Sequence, residues 1–578
     1  MRIFAEAWFL VFLTILLSSG KMTHSVSYDY FATTECLIEP KKAQYGGGII
    51  ANPEFNYSME GWNVFGKGEI KQGISENGNK YIIAHKRTQS LDSVSQKVQF
   101  QGQLYTFSAW IQINKGSENV AVIFKTENGA LIRAGRVIAK NGCWSLLKGG
   151  VFANFSSQPV EILFESKNIN VELWVDNVSL QPFTMEQWRS HQDESINKER
   201  KSKVKFKVTY ANKSAIKGAK VSIQQTQTTF PFGCGMNHYI VENKDYQKWF
   251  ASRFKYTTFT NEMKWYTNEK KQGIENYTVS DSMVKFTKQN GIRIRGHNIF
   301  WDDPKYQPDW VPDLSPDDLR EAAAKRINSV VSRYTGQLIA WDVMNENLHF
   351  RFYEDKLGEN ASSEYFSVAH KLDPSTRLFM NEYNTIENCE DENSNPANYL
   401  TKLEEILSYP GNEGILAGIG VQGHFGSEEP NLAYMRAALD ILASSGLPIW
   451  LTEVDVGRGP CQAEYLEQVL REGYAHPAVE GIIMFVGPAV AGFNVTTLAD
   501  GDFKNTESGV VVDKLIDEWK SQTAEIITDS EGSFEVSLFH GEYNLTVKDF
   551  VTNSSTSLIY KLTKEDKSSG IVQFHINA

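Results

Sequence analysis

The sequence predicts a multidomain protein built on a (β/α)8 barrel, with a β-jelly roll ahead of it and a small β-sandwich split around it. Three observations carry this. Between residues 230 and 522, eight apolar runs of strand length alternate with amphipathic stretches. Almost every one of those runs ends in a polar or aromatic cluster, at the rim where such barrels keep their chemistry. On either side the chain reads as short β-rich runs separated by Gly, Asn and Ser turns.

The N-terminus has Arg2, an apolar run over Ala7–Leu17 broken only by Thr14, and then Ser18, Ser19 and Gly20. That run is too short to span a bilayer and has the form of a secretory signal peptide over residues 1–25. No later run is long and apolar enough for a membrane helix. Asn-X-Ser/Thr sequons follow at Asn56, Asn154, Asn177, Asn212, Asn276, Asn360, Asn494, Asn544 and Asn553, which fits a glycosylated secreted protein. A net charge of −12 argues against a nucleic-acid partner. Five cysteines are too few for a disulfide framework, and one must stay unpaired within the chain. Cys389 and Cys461 follow barrel strands on the same rim, so a bridge between them is one option. The cysteine and histidine spacing shows no metal cluster.

Residues 46–182 read as all-β, with runs such as Leu104–Ile113, Val120–Phe124, Val160–Phe164 and Val171–Leu180. Residues 183–203 are polar and charged with no repeating apolar face, and read as a helical or extended linker. Residues 204–229 alternate like a strand, a Gly turn and a second strand, and residues 523–578 continue that style with turns at Ser530-Glu531-Gly532 and His540-Gly541-Glu542. Neither piece has enough strands to bury a core by itself, so the two are expected to pair across the ends of the barrel. Together they resemble transthyretin-like sandwiches.

The barrel strands are expected at Phe230–Met236, Tyr256–Glu262, Ile292–Phe300, Leu338–Glu346, Arg377–Asn384, Gly418–His424, Pro448–Val456 and Val479–Gly487. Helix starts carry caps, as at Ser315-Pro316-Asp317 and Pro430-Asn431. An open doubly wound sheet is disfavoured because no Gly-rich phosphate loop follows a strand. Strand four ends in Trp341-Asp342-Val343-Met344-Asn345-Glu346 and strand seven in Thr452-Glu453-Val454-Asp455. Two carboxylates from different strands facing one cavity are what glycosidic bond cleavage needs.

With strands two, three, five and six ending in Asn261-Glu262-Met263-Lys264-Trp265, Arg295–Trp301, Asn381-Glu382-Tyr383-Asn384 and Gln422-Gly423-His424, the barrel resembles glycoside hydrolase family 10, the endo-1,4-β-xylanases. The likeness runs from about residue 46 to 522 and is strongest at WDVMNE and TEVDV. It implies a retaining mechanism with Glu346 as general acid/base and Glu453 as nucleophile, needing no cofactor or metal for catalysis. Retention requires carboxyl groups about 5–5.5 Å apart. By residue type, Asn345 should donate to the hydroxyl beside the anomeric carbon, and His424, with Asp455 as orienting partner, should hold Glu453. Gln422 should contact Glu346. Asn261, Lys264 and His297 should bind glycone-side hydroxyls, Trp301 should form a wall, and Tyr383 should stack on the aglycone side.

The opening Asn52-Pro53-Glu54-Phe55…Gly61-Trp62 and the closing Val175–Leu180 resemble family 22 carbohydrate-binding modules. That implies a module binding xylan-type chains, with Trp62, Tyr105, Trp110, Trp144 and Trp174 as stacking candidates or core aromatics. It also suggests a structural calcium, for which Asp176 is a candidate ligand or simply a turn acid. Three departures alter the barrel cleft: Thr260 precedes Asn261 where a Glu is usual, Asp302 follows Trp301 where a His is common, and strand eight ends in Phe485 with no tryptophan through Phe493. The expectation is therefore a secreted, monomeric, cell-wall endo-1,4-β-xylanase acting on xylan, with no nucleic-acid or membrane partner. The alternatives are a xylan-binding protein with weak or no hydrolysis, and another retaining β-glycanase such as a mannanase or glucanase.

Overall fold

The computed structural model describes residues 26–153, 157–566 and 571–576. The expected signal peptide and the Asn154 sequon lie outside the described residues. Eight parallel strands close into a barrel: Phe232–Met236, Tyr256–Phe259, Arg293–Gly296, Ala340–Asn345, Arg377–Glu382, Ala417–Val421, Ile449–Val456 and Val479–Met484. The first pairs with the second and the eighth, so no edge is left open. Nearly every residue of these strands is buried, as parallel strands covered by helices on the outside must be. Close approaches between neighbouring strands need glycine: a Cβ at Gly296 would strike the Trp341 ring, and one at Gly418 the Phe379 ring.

Ahead of the barrel, two five-stranded antiparallel sheets pack face to face. Their shared core includes Phe107, Ile111, Phe124, Leu147, Ile162, Phe164 and Val175. The outer face of one sheet carries Tyr81, Trp110, Trp144 and Leu146, with Trp174 packed against them, and the N-terminal segment covers it through Phe31 and Leu37. A disulfide, Cys36–Cys143, ties that segment down. This corrects the cysteine option, because Cys389 and Cys461 are both free. Of the two roles open to the aromatics, Trp62, Tyr105, Trp110 and Trp144 take the packing one, with 5% or less of their surface exposed, and Trp174 is half-buried. The module docks on the barrel through a buried Lys148–Asp440 pair at 2.7 Å and through Arg133 and Arg136, which reach Glu390 and Glu392.

Residues 183–203 are not a free linker. Met185–Glu199 is a helix opened by a capping box between Thr184 and Gln187. It buries Trp188 and Ile196, and both Trp188 and Gln192 donate to Glu472 at 2.8 Å. Arg436 completes the cluster by pairing with Glu472 and lying over the Trp188 ring. The helix is anchored by polar groups as much as by apolar ones, so no apolar stripe announced it.

The strand that follows, Lys201–Tyr210, lies between Ser533–Phe539, antiparallel, and Ile571–Ile576, parallel. Lys220–Thr228 lies between Ala524–Ile527 and Gly541–Lys548. Chain from before the barrel and chain from after it thus share one core, with Phe206, Val208, Val221 and Ile223 against Phe534, Leu538, Leu545 and Val547.

Candidate active site

Glu346 directly follows barrel strand four and takes a left-handed φ of 63°. A non-glycine residue there costs of order 1–3 kcal/mol. The conformation is held by its own N–H, which donates to the Asn381 carbonyl at 2.9 Å, and by His349 and Phe350, whose N–H groups donate to its carbonyl. The turn lifts the carboxylate off the strand and over the barrel mouth. There it accepts Gln422 Nε2 at 3.1 Å and Asn345 Nδ2 at 3.2 Å on one oxygen, and Trp301 Nε1 at 2.8 Å on the other.

Glu453 comes from strand seven. Asn381 ties it to the first acid: Asn381 Nδ2 donates to Glu453 Oε1 and to Asn345 Oδ1, both at 2.8 Å. Thr452 fixes the Asn381 amide by donating its hydroxyl to the amide oxygen at 2.6 Å. His424 Nε2 lies 3.7 Å from Glu453 Oε2, while its Nδ1 is held by Asp455 at 2.9 Å. His297 lies on the other side, with Nε2 3.8 Å from Glu453 Oε1 and Nδ1 against Asp342 at 2.9 Å.

These surroundings push the two acids apart. Burial raises the Glu346 carboxyl, the donors Gln422 and Trp301 pull it down, the charge of Glu453 raises it, and the balance is upward. Burial also acts to raise Glu453, but His297, His424 and Lys264 outweigh it and hold that carboxyl well below the usual range. His424 itself is pushed well above its ordinary value: burial opposes the charge, and Asp455 and Glu453 overcome it. Two carboxyl groups in one hydrogen-bonded cluster, shifted in opposite directions by their surroundings, have the asymmetry that glycosidic bond cleavage requires of its acid and its nucleophile.

The remaining rim residues lie around this pair. Lys264 is buried, with Nζ 3.5 Å from Asn261 Oδ1 and lying over the Trp301 ring at 4.4 Å. Burial lowers its pKa against the pull of Glu453 and Glu346. Asn261 is exposed and accepts the Tyr266 hydroxyl at 2.6 Å. Trp301, expected as a wall, spends its indole N–H on Glu346 and stacks on Tyr306 at 4.0 Å. Tyr383 stacks on His349 at 3.9 Å. Asp302 is buried, turned from the cleft, and accepts the Tyr353 N–H at 3.0 Å. Phe485 sits between His297 and His424, with ring centroids 6.4 and 6.3 Å away. Asn381, Asp342 and Tyr306 are the working residues to which the sequence assigned no role. Asn381 and Asp342 at least stood in strand-end clusters.

Comparison with known proteins finds a family for the barrel that carries this site. The model of glycosyl hydrolase family 10 matches residues 222–485. An Arabidopsis thaliana protein named endo-1,4-beta-xylanase 5-like is 47% identical over 574 residues, covering 97% of this chain and 96% of that protein. The chain belongs to glycosyl hydrolase family 10. Two more relatives from the same plant, endo-1,4-beta-xylanase 5 and endo-1,4-beta-xylanase 4, are 47% and 44% identical and cover 98% of this chain, with 99% and 97% of their own lengths matched. As a family 10 member the chain is a glycoside hydrolase of the retaining type, and its matches extend over the N-terminal module as well as the barrel.

Proposed function

We propose that the chain is a secreted endo-1,4-β-xylanase that hydrolyses cell-wall xylan through a glycosyl-enzyme intermediate. The carrying observation is the pair Glu346 and Glu453, held in one hydrogen-bonded cluster through Asn345 and Asn381 and shifted in opposite directions. In the first step Glu453, already ionised, attacks the anomeric carbon while Glu346 gives its proton to the leaving glycosidic oxygen. Ester formation removes the Glu453 charge, which had been raising Glu346. The acid then falls in pKa and takes a proton from the incoming water as a base. Water adds at the anomeric carbon, the ester bond breaks, and Glu453 leaves as a carboxylate.

In this reading Asn345 turns its amide from Glu346 to the neighbouring sugar hydroxyl as charge develops. Asn261, Lys264 and His297 serve the glycone side, and Tyr383, backed by His349, offers a stacking surface on the aglycone side. The decisive experiment is purified protein against xylan, mannan and β-glucan, beside Glu453→Ala. Cleavage of xylan by the wild type alone supports the reading. Preferential cleavage of mannan or β-glucan, or xylan binding without cleavage, overturns it.

The proposal extends to a structural calcium in the N-terminal module. Asp176 is buried, and burial raises its pKa to about 7 despite donors from Asn79 and the Asn177 N–H, with Glu54 adding to the rise. Both Asp176 oxygens accept N–H groups, and among the described residues no cluster of three or more acidic, histidine or cysteine side chains could hold a metal, so an ion here would have to displace the Asn79 amide and draw its remaining oxygens from backbone and water. A chelator should lower the melting temperature of the module, and no change would refute the ion.

A further inference from the structure

Gln422-Gly423-His424 serves both carboxylates at once, since Gln422 donates to Glu346 and His424 lies against Glu453. The backbone of this tripeptide runs past the end of its neighbour. Barrel strand five stops at Glu382, whose carbonyl takes the Gln422 N–H at 2.8 Å. The next two N–H groups, of Gly423 and His424, have no strand residue to donate to. Both donate instead to one oxygen of Glu387, at 2.8 and 2.9 Å. The other oxygen accepts the Ile386 N–H at 2.9 Å. Gly423 has φ 84°, and this left-handed residue aims successive N–H groups at a single point, a concavity that favours an anion. On the opposite edge the Gln422 and Gly423 carbonyls accept the N–H groups of Glu453 and Asp455, at 2.8 and 3.2 Å.

We infer that Glu387 is a positioning residue for the reaction, its carboxylate clamping the 422–424 backbone so that Gln422 reaches the acid/base and His424 reaches the nucleophile. This rests on Glu346 and Glu453 being the catalytic pair. Glu387 enters from the loop after strand five and acts only through the backbone it holds. Burial raises its carboxyl, while the Ile386 N–H and the His424 charge pull it down. An amide in its place keeps one acceptor but turns an NH2 group against N–H donors, so the clamp opens on one side.

The test is Glu387→Gln, read in two ways. Without substrate, the His424 imidazole is titrated by NMR, and it should lose its proton at lower pH than in the wild type because it no longer sits against Glu453. With an aryl β-xylobioside, kcat/KM should fall about tenfold, and both limbs of its pH profile should move to higher pH. Glu453 would lose the His424 charge that holds it down, and Glu346 would lose the Gln422 donor. A merely structural residue would lower the folded fraction and leave both limbs where they were, which overturns the inference. Because Glu387→Gln also removes a charge that itself acts on His424, Glu387→Asp, one methylene shorter with the charge kept, must show the same displacements of His424 and of both limbs, and their absence is equally fatal. The NMR titration reads the clamp even if the wild type spares xylan, in which case only the proposed substrate falls.

Discussion

Trp301 gives its indole N–H to Glu346 Oε2 at 2.8 Å, while its ring stacks on Tyr306 and lies under the Lys264 ammonium. Its main service to the reaction is therefore to the acid/base, which it pulls toward ionisation against burial. Trp301→Phe keeps the stack and removes the donor. The Glu346 pKa should rise, so the alkaline limb of kcat/KM moves to higher pH while the acidic limb, set by Glu453, stays. Kcat/KM should fall about tenfold, the lower range for a hydrogen bond to a charged group. A displaced acidic limb would contradict this division of labour.

Phe485 occupies the end of strand eight, edge-on to both active-site histidines, where the resemblance to family 10 leads one to expect a tryptophan. Phe493 packs so closely on Gly487 that a Cβ there would meet its ring. Two phenylalanines thus line a region where the resemblance to family 10 leads one to expect tryptophans. Phe485→Trp should strengthen stacking on the reacting sugar by about 0.5–1.5 kcal/mol, a rise in kcat/KM of about two- to tenfold on xylan. An unchanged or lower value would mean that the narrower ring is part of a differently shaped cleft.

What could be read from sequence follows a physical divide. Strand ends are legible because a buried parallel strand must be apolar, so Asn345-Glu346 and Thr452-Glu453 stand out at its exit. The split sandwich was legible because Lys201–Tyr210 and Ser533–Phe539 each alternate as half-buried strands without a partner nearby in sequence. A helix is one of the two readings of residues 183–203, but its docking on the barrel was not legible, because Trp188 and Gln192 bury themselves by bonding to Glu472, nearly 300 residues on. The Cys36–Cys143 bridge depends on where a covering segment lies, which spacing does not encode. Asn381 lies on a strand and was visible, but its bond to Glu453 depends on two strands being neighbours in the ring.

The disulfide closes a sequence separation of 107 residues and pins Phe31 and Leu37 onto the aromatic face of the N-terminal module. Replacing Cys36 and Cys143 together by serine should cost about 2–5 kcal/mol, the usual range for a native bridge closing a long loop. Calorimetry should show a lower melting temperature for the module, with kcat on soluble xylan unchanged because, among the described residues, none of the module bonds to Glu346 or Glu453. A loss of kcat at a temperature where both forms are folded would mean that the docked module also shapes the cleft.

His349 sets a pH limit on stability from the alkaline side. Its ring stacks under Tyr383, with Nδ1 on Glu382 at 2.7 Å and Nε2 on Asp391 at 2.8 Å. Burial acts to lower its pKa, but the two carboxylates more than compensate and raise it to about 9. Because this folded value lies above the unfolded one near 6.5, the stabilisation is fully present below about pH 6.5 and is lost as pH rises through the folded pKa. The shift corresponds to about 3 kcal/mol. Wild type and His349→Gln should therefore differ most in melting temperature near pH 6, and the gap should close toward pH 10 as the imidazolium loses its proton. A gap that stays constant with pH would show that the residue stabilises by stacking under Tyr383 and not by charge.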